Sequence, residues 1–429
     1  MTSLTPDSYG YPMTTTISRV SPNPATLMTL GYTFNASRGF PTARSNSAFG
    51  WNETFGFDNL DRLTIFNDND GNHSQAYDGR GRISSNTRLG SYNYSGTSYQ
   101  QSGLDLNTTA DLYYQGRTEQ SISYTAFKSP VEIHEPGHER YGFQYNVNLD
   151  RANMFYGSFA PDQLLRPLRR HYSADGGVEI SKDLTNGKTS FVFYLGGDAY
   201  SAPAIWKETY SASPTTQQLF YLHRDYLGSI VLITNTDGQT VEKRQFDAWG
   251  RMVRLQDGAN NNLSNFTVVD RGFTGHEHLL PVGLIHMNAR LYDPLLGRFL
   301  APDNYIQDPY GTQNFNRYGY ALNNPLVYVD PDGELLWLIP VAFFLFFTDA
   351  GYELQKYVSP VAFHVDWGLG SHERKLGFNV SWGVPKISPY SYREDYGATY
   401  YWKHISGDYT GWENRKGYEH SLLGLYHWE

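Results

Sequence analysis

Apolar and polar positions alternate along most of this chain in short runs, and Gly, Pro, Asn or Asp ends each run. Residues 91–96 (SYNYSG), 121–127 (SISYTAF), 131–135 (VEIHE) and 142–157 (GFQYNVNLDRANMFYG) have strand length and strand patterning. Successive side chains of a strand leave opposite faces of the pleat, so a period of two marks a half-buried sheet. Residues 189–197 and 219–233 are the most apolar of these runs. Asn235-Thr236-Asp237-Gly238 predicts a hairpin turn, because Asp-Gly accepts positive φ at low cost. The polar residues 256–264 predict a loop.

The texture changes after Glu334. Leu335 to Phe347 is thirteen apolar residues without interruption. A helix of that length spans about 20 Å, against roughly 30 Å for the hydrocarbon core of a bilayer. Pro340 would also kink it. The stretch therefore predicts a short helical segment, either buried or lying at a membrane interface. Full insertion would require it to continue through the more polar residues 351–365. Alternating patterning returns over 361–429.

One unit recurs within the alternation: aromatic, Asp, three residues, Arg, apolar. It stands at Phe57-Asp58 to Arg62-Leu63, Tyr77-Asp78 to Arg82-Ile83 and Phe246-Asp247 to Arg251-Met252. A fourth copy, Tyr292-Asp293 to Arg298-Phe299, is longer by one residue. The first two lie twenty residues apart, which suits one hairpin per repeat. In such a unit the aromatic packs on a neighbouring strand, Asp and Gly shape the turn, and Arg reaches back to a carboxylate or carbonyl.

Composition agrees with a sheet-rich fold. The chain has 35 Tyr, 24 Phe and 9 Trp against 18% charged residues, and aromatics suit pleated, half-buried surfaces. A net charge of -9 gives no overall footprint for nucleic acid, which needs clustered Lys and Arg. The absence of cysteine removes disulfides, thiolate metal sites and cysteine nucleophiles. Met1 to Val20 has no basic start followed by an apolar run, so no signal peptide is visible.

The densest patterning lies in residues 271–333. Its landmarks are Gly283-Leu284-Ile285, Asn288 to Pro294, Gly297-Arg298-Phe299-Leu300, Pro302-Asp303 and Tyr318 to Pro325. Two DPxG units complete it, Asp308-Pro309-Tyr310-Gly311 and Asp330-Pro331-Asp332-Gly333. These residues resemble the core region of the Rhs/YD-repeat family of polymorphic toxins, whose repeats build a hollow β-shell around a variable C-terminal cargo. With weaker motifs upstream the likeness covers residues 50–333.

The resemblance implies a mainly β fold in which YD-type strand-turn-strand repeats form part of a curled β-shell. A distinct C-terminal domain would begin with the short apolar, helical segment. The implied division is a polar N-terminal segment at 1–50 continuing a longer repeat region, a repeat shell at 51–270, the core at 271–333 and a cargo or effector domain at 334–429. Implied partners are an immunity protein and a secretion apparatus, with membrane contact through 335–347. No cofactor is implied. The expected location is secreted or cell surface. The competing reading is a non-enzymatic surface protein, structural or carbohydrate-binding, whose aromatics stack on glycans.

In this family and the related Tc toxins, paired DPxG units mark an intramolecular aspartyl-type cleavage. Carried over, Asp308 is the leading catalytic candidate, Asp330 closes the core, and Asp303 is the alternative second aspartate. The cut would fall just after Gly333, near Glu334 or Leu335. The chain departs from the pattern at Glu334, where cleaving members carry Leu. The chemistry is reasonable, because two close carboxylates cannot both ionise easily: one stays protonated as acid while the other activates water. Each unit is also turn chemistry, with Asp at i, Pro at i+1 and Gly at i+3 of a type I turn.

Gly275-His276-Glu277-His278 invites a metal reading, with both imidazoles on one strand face. A site needs three or four ligands and no third is evident, so no metal is expected. His364, Asp366, His372, Glu373, His404, Glu413 and His420 in the C-terminal region could serve acid–base chemistry, but stand at no spacing that defines an enzyme class.

Overall fold

Asp58 shows how this chain turns. Its Oδ1 accepts from the backbone N–H of Leu60 at 2.9 Å and of Arg62 at 3.0 Å, while its own N–H donates to Arg62 O at 3.0 Å. Residues 78–82, 146–150, 225–229, 235–239, 247–251 and 257–261 repeat this five-residue turn, each with Asp or Asn first. The fourth position is left-handed in every copy, at φ between 66° and 88°. An Asx side chain that caps its own turn makes such a reversal local, so the strands on either side pair with their immediate neighbours.

The Arg of the recurring unit adds a link between repeats. Arg62 Nε donates to Asp58 Oδ2 at 2.8 Å and Arg82 Nε to Asp78 Oδ2 at 2.6 Å. The Arg62 guanidinium also lies 4.4 Å over the Tyr77 ring, and Arg82 lies 4.4 Å over Tyr94. Each tyrosine hydroxyl donates back to the preceding unit, Tyr77 to Leu63 O and Tyr94 to Ile83 O. The longer fourth copy turns differently: Gly297 N–H donates to Asp293 O, and Arg298 reaches Tyr94 and Tyr99.

Removing the cap in Asp78→Ala is expected to destabilise the protein by about 1–2 kcal/mol. Asp237, exposed in the Asn235 turn, caps nothing, so Asp237→Ala should stay within about 0.5 kcal/mol of wild type. Urea denaturation of the two variants checks both.

The computed structural model describes residues 1–333 except positions 9, 22, 212–214 and 307–310. Beyond 333 it describes the strands Trp337–Leu338, Val361–His364, Glu373–Ser381, Gly397–Ile405, Tyr409–Gly411, Glu419–His420 and His427–Trp428. The chain divides into two compact units, Met1–Ile339 and Pro340–Glu429.

In the first unit consecutive strands pair antiparallel in chain order. A six-stranded sheet runs from Thr2–Pro6 to Leu63–Asn67, a four-stranded sheet from Gln75–Tyr77 to Gln101–Leu106, and a twelve-stranded sheet from Ser121–Tyr124 to Met252–Asp257. A further four-stranded sheet, Glu277–Leu279 to Arg298–Phe299, belongs to the junction region. The first sheet runs through residue 50 without a break, and Ile17, Met28 and Leu30 already belong to the main core.

The junction supplies the residues around which the sheets gather. Ile285, Met287, Tyr292, Phe299, Tyr320 and Leu326 pack with Ile17, Met28 and Leu63 of the first sheet and with Leu232 and Phe246 of the longest. Leu279, Leu284 and Leu291 pack against Ile133, Phe143 and Met154 at the other end of that sheet. Leu295 and Leu296 reach the cluster of Ile83, Leu89 and Tyr92.

At the downstream end Trp337–Leu338 pairs antiparallel with Tyr328–Val329. Here the apolar run is strand, where a helix beginning at 335 was expected, because the backbone of Tyr328–Val329 offers hydrogen bonds that an extended segment can take. The rest of 335–347, and with it the expected membrane contact, lies outside the described residues. Among the described residues no helix is long and apolar enough to cross a membrane.

Candidate active site

The second DPxG unit is clamped by a hairpin of the junction, strands Leu284–Met287 and Arg290–Asp293. Ala289 N–H donates to Asp332 O at 3.1 Å, and Asn288 Nδ2 to Pro331 O at 3.1 Å. His276 adds its Nε2–H to the same Pro331 carbonyl at 3.0 Å. Because a carbonyl can only accept, and burial lowers the pKa of His276 to about 3, the ring is neutral and its Nδ1 accepts from the Thr274 hydroxyl at 2.8 Å. Gly333 follows at φ 79°, where a Cβ would lie 2.0 Å from Met287 O, so only glycine fits.

Arg290 joins this clamped turn to two aspartates. Its Nε–H donates to Gly333 O, and its Nη2 lies 3.0 Å from Asp330 Oδ2 and 3.1 Å from Asp303 Oδ2. The guanidinium sits 3.7 Å over the Phe299 ring, which fixes its plane. Asp303 is oriented by Tyr305 N–H on its Oδ1 at 2.8 Å and by Arg317 on its backbone carbonyl. Both aspartates are buried, at 5% and 2% exposure.

Burial raises the Asp330 pKa to about 7; Asp332 and Asp303 add to the rise and Arg290 opposes it. One carboxyl of the group therefore holds a proton near neutral pH. A cavity of about 40 Å³ opens beside it, lined by Arg290, Asp303, Asp330, Gln313, Asn316 and Asn323 among others. That exceeds the roughly 10–15 Å³ a water molecule needs on this measure.

Of the residues predicted from the sequence, the structure thus brings Asp303, Asp330 and Gly333 together. Asp308, Glu334 and Leu335 lie outside the described residues. Arg290 was missed as a site residue: it stood in the sequence as a landmark, and nothing local shows that its guanidinium meets Asp303 and Asp330. The metal reading of His276 and His278 finds its nitrogens engaged elsewhere, since His278 Nε2 accepts from Phe273 N–H at 3.0 Å. Among the described residues no group of three or more His, Asp or Glu could hold a metal ion.

A family model described as Teneurin YD-shell matches residues 212–326. The tRNA3(Ser)-specific nuclease WapA of Bacillus spizizenii is 26% identical over 198 residues, which is 46% of this chain and 7% of that protein. The tRNA nuclease WapA of Bacillus subtilis is 32% identical over 122 residues, 28% of this chain and 5% of that one. The crystal structure of TcdB2-TccC3-Cdc42 superposes over 78% of this chain and 18% of its own, with TM-score 0.60 at 18% identity. The chain is an Rhs/YD-repeat protein. It spans less than a tenth of the WapA nucleases and under a fifth of the toxin-complex chain.

The match to the YD-shell model ends at 326, so the clamped DPxG turn follows directly on it. Its support comes from a second charge cluster of this Rhs/YD-repeat chain. Glu277 lies beside Arg151 Nη2 at 2.5 Å, pairs with Arg170 Nη1, and accepts from the Tyr172 hydroxyl at 2.7 Å. Burial pushes the Glu277 carboxyl up, but Arg151, Arg170 and Arg271 outweigh it and hold the group well below the usual carboxylate range. This network ties the long sheet to the strand that follows His276.

Proposed function

We propose that this Rhs/YD-repeat scaffold is a toxin component that presents a C-terminal effector, residues 334–429, and frees it by aspartyl-type self-cleavage after Gly333. The observation that carries the reading is Arg290, which touches Asp303, Asp330 and the Gly333 carbonyl at once. In this scheme ion-paired Asp303 is the base that takes a proton from water. The water oxygen bonds to the Gly333 carbonyl carbon while Arg290 Nε–H stabilises the negative charge on its oxygen. Protonated Asp330 gives its proton to the Glu334 amide nitrogen as the C–N bond breaks. Asp308 has no part in this assignment.

The relatives named as tRNA nucleases and the toxin-complex neighbours favour the toxin reading over a glycan-binding surface protein. A secreted or cell-surface location, an export apparatus and an immunity protein in the producing cell belong to the same proposal. Mass spectrometry of the purified chain tests it. Wild type should appear as two fragments cut within residues 333–335, and Asp303→Asn as one intact chain. An intact wild-type chain would remove the protease.

A further inference from the structure

The cavity beside the carboxylates has a second wall whose chemistry the cleavage scheme does not yet use. Ala321, Leu322 and Asn323 are consecutive non-glycine residues at φ 52°, 50° and 62°. A left-handed turn of this kind costs about 1–2 kcal/mol per residue, and such strain persists where the surroundings over-determine it. What holds it here is a set of side-chain amides tied to the repeat turns. Asn323 Nδ2 donates to Gly81 O at 3.2 Å and Asn324 Nδ2 to Asp61 O at 2.8 Å. Asn316 Nδ2 also donates to Gly81 O at 3.2 Å, and Gln313 Nε2 to Leu60 O at 3.0 Å.

These bonds settle which way each amide points. A backbone carbonyl only accepts, so nitrogen must face the repeat turns and oxygen must face away. The oxygens of Gln313, Asn316 and Asn323 are then buried with no hydrogen-bond donor, and all three residues line the cavity that Asp303, Asp330 and Arg290 share. A buried acceptor without a donor costs about 1–3 kcal/mol, so three on one small cavity call for a donor-rich occupant. Water fits both the volume and the need.

We propose that Asn316 and Asn323 are positioning residues for the attacking water of this self-cleavage, anchored for that purpose by the Gly81 carbonyl of the repeat turn 78–82. The inference rests on the proposed cleavage. One water hydrogen goes to Asp303, the other stays bonded to an asparagine oxygen, and the oxygen is left to bond to the Gly333 carbonyl carbon. The reaction closes with a carboxyl on Gly333 and an amine on Glu334. Because the anchors are carbonyls of the repeat turns, the site is complete only when those turns have docked, so cutting waits for the scaffold to fold.

Two measurements on the full chain test this. The first does not depend on cleavage: a high-resolution crystal structure of the Asp330→Asn protein should show an ordered water within hydrogen-bond distance of Asn316 Oδ1 or Asn323 Oδ1. A dry cavity overturns the proposal whether or not wild type cleaves. An intact wild-type chain with the water in place would instead sink the cleavage reading and leave the water site standing.

The second uses cleavage rates. Asn323→Gly keeps the left-handed backbone and removes the amide, so it should cut about 10–100-fold more slowly, the penalty of a misplaced reactant, with a cooperative unfolding transition retained. Asn323→Asp keeps an oxygen acceptor but gives up the N–H held by the Gly81 carbonyl, so it should stay slower than wild type. Its added carboxylate should also move the pH profile up by about one unit by raising the pKa of Asp330. Wild-type rates in the glycine variant, or an unshifted profile in the aspartate variant, would overturn the assignment.

Discussion

Asp330→Asn is expected to abolish self-cleavage and, at pH 8, to stabilise the protein by about 2–4 kcal/mol. Both effects come from one buried carboxyl. Its pKa is about 7 in the folded protein against an ordinary value of 3.8. Below 3.8 the folded and unfolded chains are both protonated there and the group contributes nothing. Between 3.8 and 7 the unfolded chain is ionised while the folded chain keeps its proton, so stability falls by about 1.4 kcal/mol per pH unit as pH rises.

Above 7 the penalty is complete and constant. Asparagine cannot ionise, so the gain over wild type should be absent near pH 4 and full at pH 8. Urea denaturation of both proteins at the two pH values measures it. Glu53, raised to about 7 by burial, and Asp293, raised to about 6 by burial, shift stability in the same direction. They are common to both proteins, and with both measured in the uncut Asp303→Asn background the difference isolates Asp330. An equal gain at both pH values would mean that Asp330 is not held protonated, and the proposed acid would be lost.

The largest loss is expected from Glu277→Gln, at about 3–5 kcal/mol. Glu277 is 1% exposed and pairs with Arg151 and Arg170, both buried. Arg151 has no acceptor for its Nε and Nη1, so Glu277 and the Tyr172 ring 4.1 Å away are what compensate its charge. Removing one partner of a buried pair leaves the other desolvated and uncompensated, which costs far more than the pair contributes over an apolar replacement. Asp270→Asn is the control. Asp270 pairs with the same Arg170 at 2.7 Å but is one-third exposed, so water replaces much of what is lost and the change should stay within about 1 kcal/mol. Thermal unfolding of the two variants should differ accordingly; similar midpoints would show that the cluster is solvated.

The repeat was legible because its chemistry is local. An Asx side chain capping its own turn needs only neighbours within five residues, so Asp58, Asp78 and Asp247 could be recognised in place. The copies at Asn146, Asp225, Asn235 and Asp257 escaped the motif because it was written with an Arg that the turn does not require. Asp-Gly at 237–238 pointed to a real hairpin, yet the capping residue is Asn235, two positions earlier.

The site was half legible. The sequence pointed to Asp308 and Asp330, with Asp303 as the alternative second aspartate. The structure places Asp303 beside Asp330 because Arg290 binds both from a separate hairpin, and Asp308 lies outside the described residues. His276 was weighed with His278 as a metal pair and set aside for want of a third ligand; its place as a clamp on Pro331 was not legible. Nothing in Asn316 or Asn323 marks them, since their roles depend on Leu60 to Gly81, more than 230 residues earlier in the chain.

Sequence alone determined the strand-and-turn character of this protein and the family to which its junction belongs, since both are written in contacts between near neighbours. The tertiary structure decided that residues 271–333 are the common core of the sheets and not merely the end of a shell. It also decided which carboxylates meet and which of them keeps a proton. Those outcomes turn on burial and on distances between remote segments, and desolvation, unlike turn chemistry, has no value until the whole chain has closed around the group.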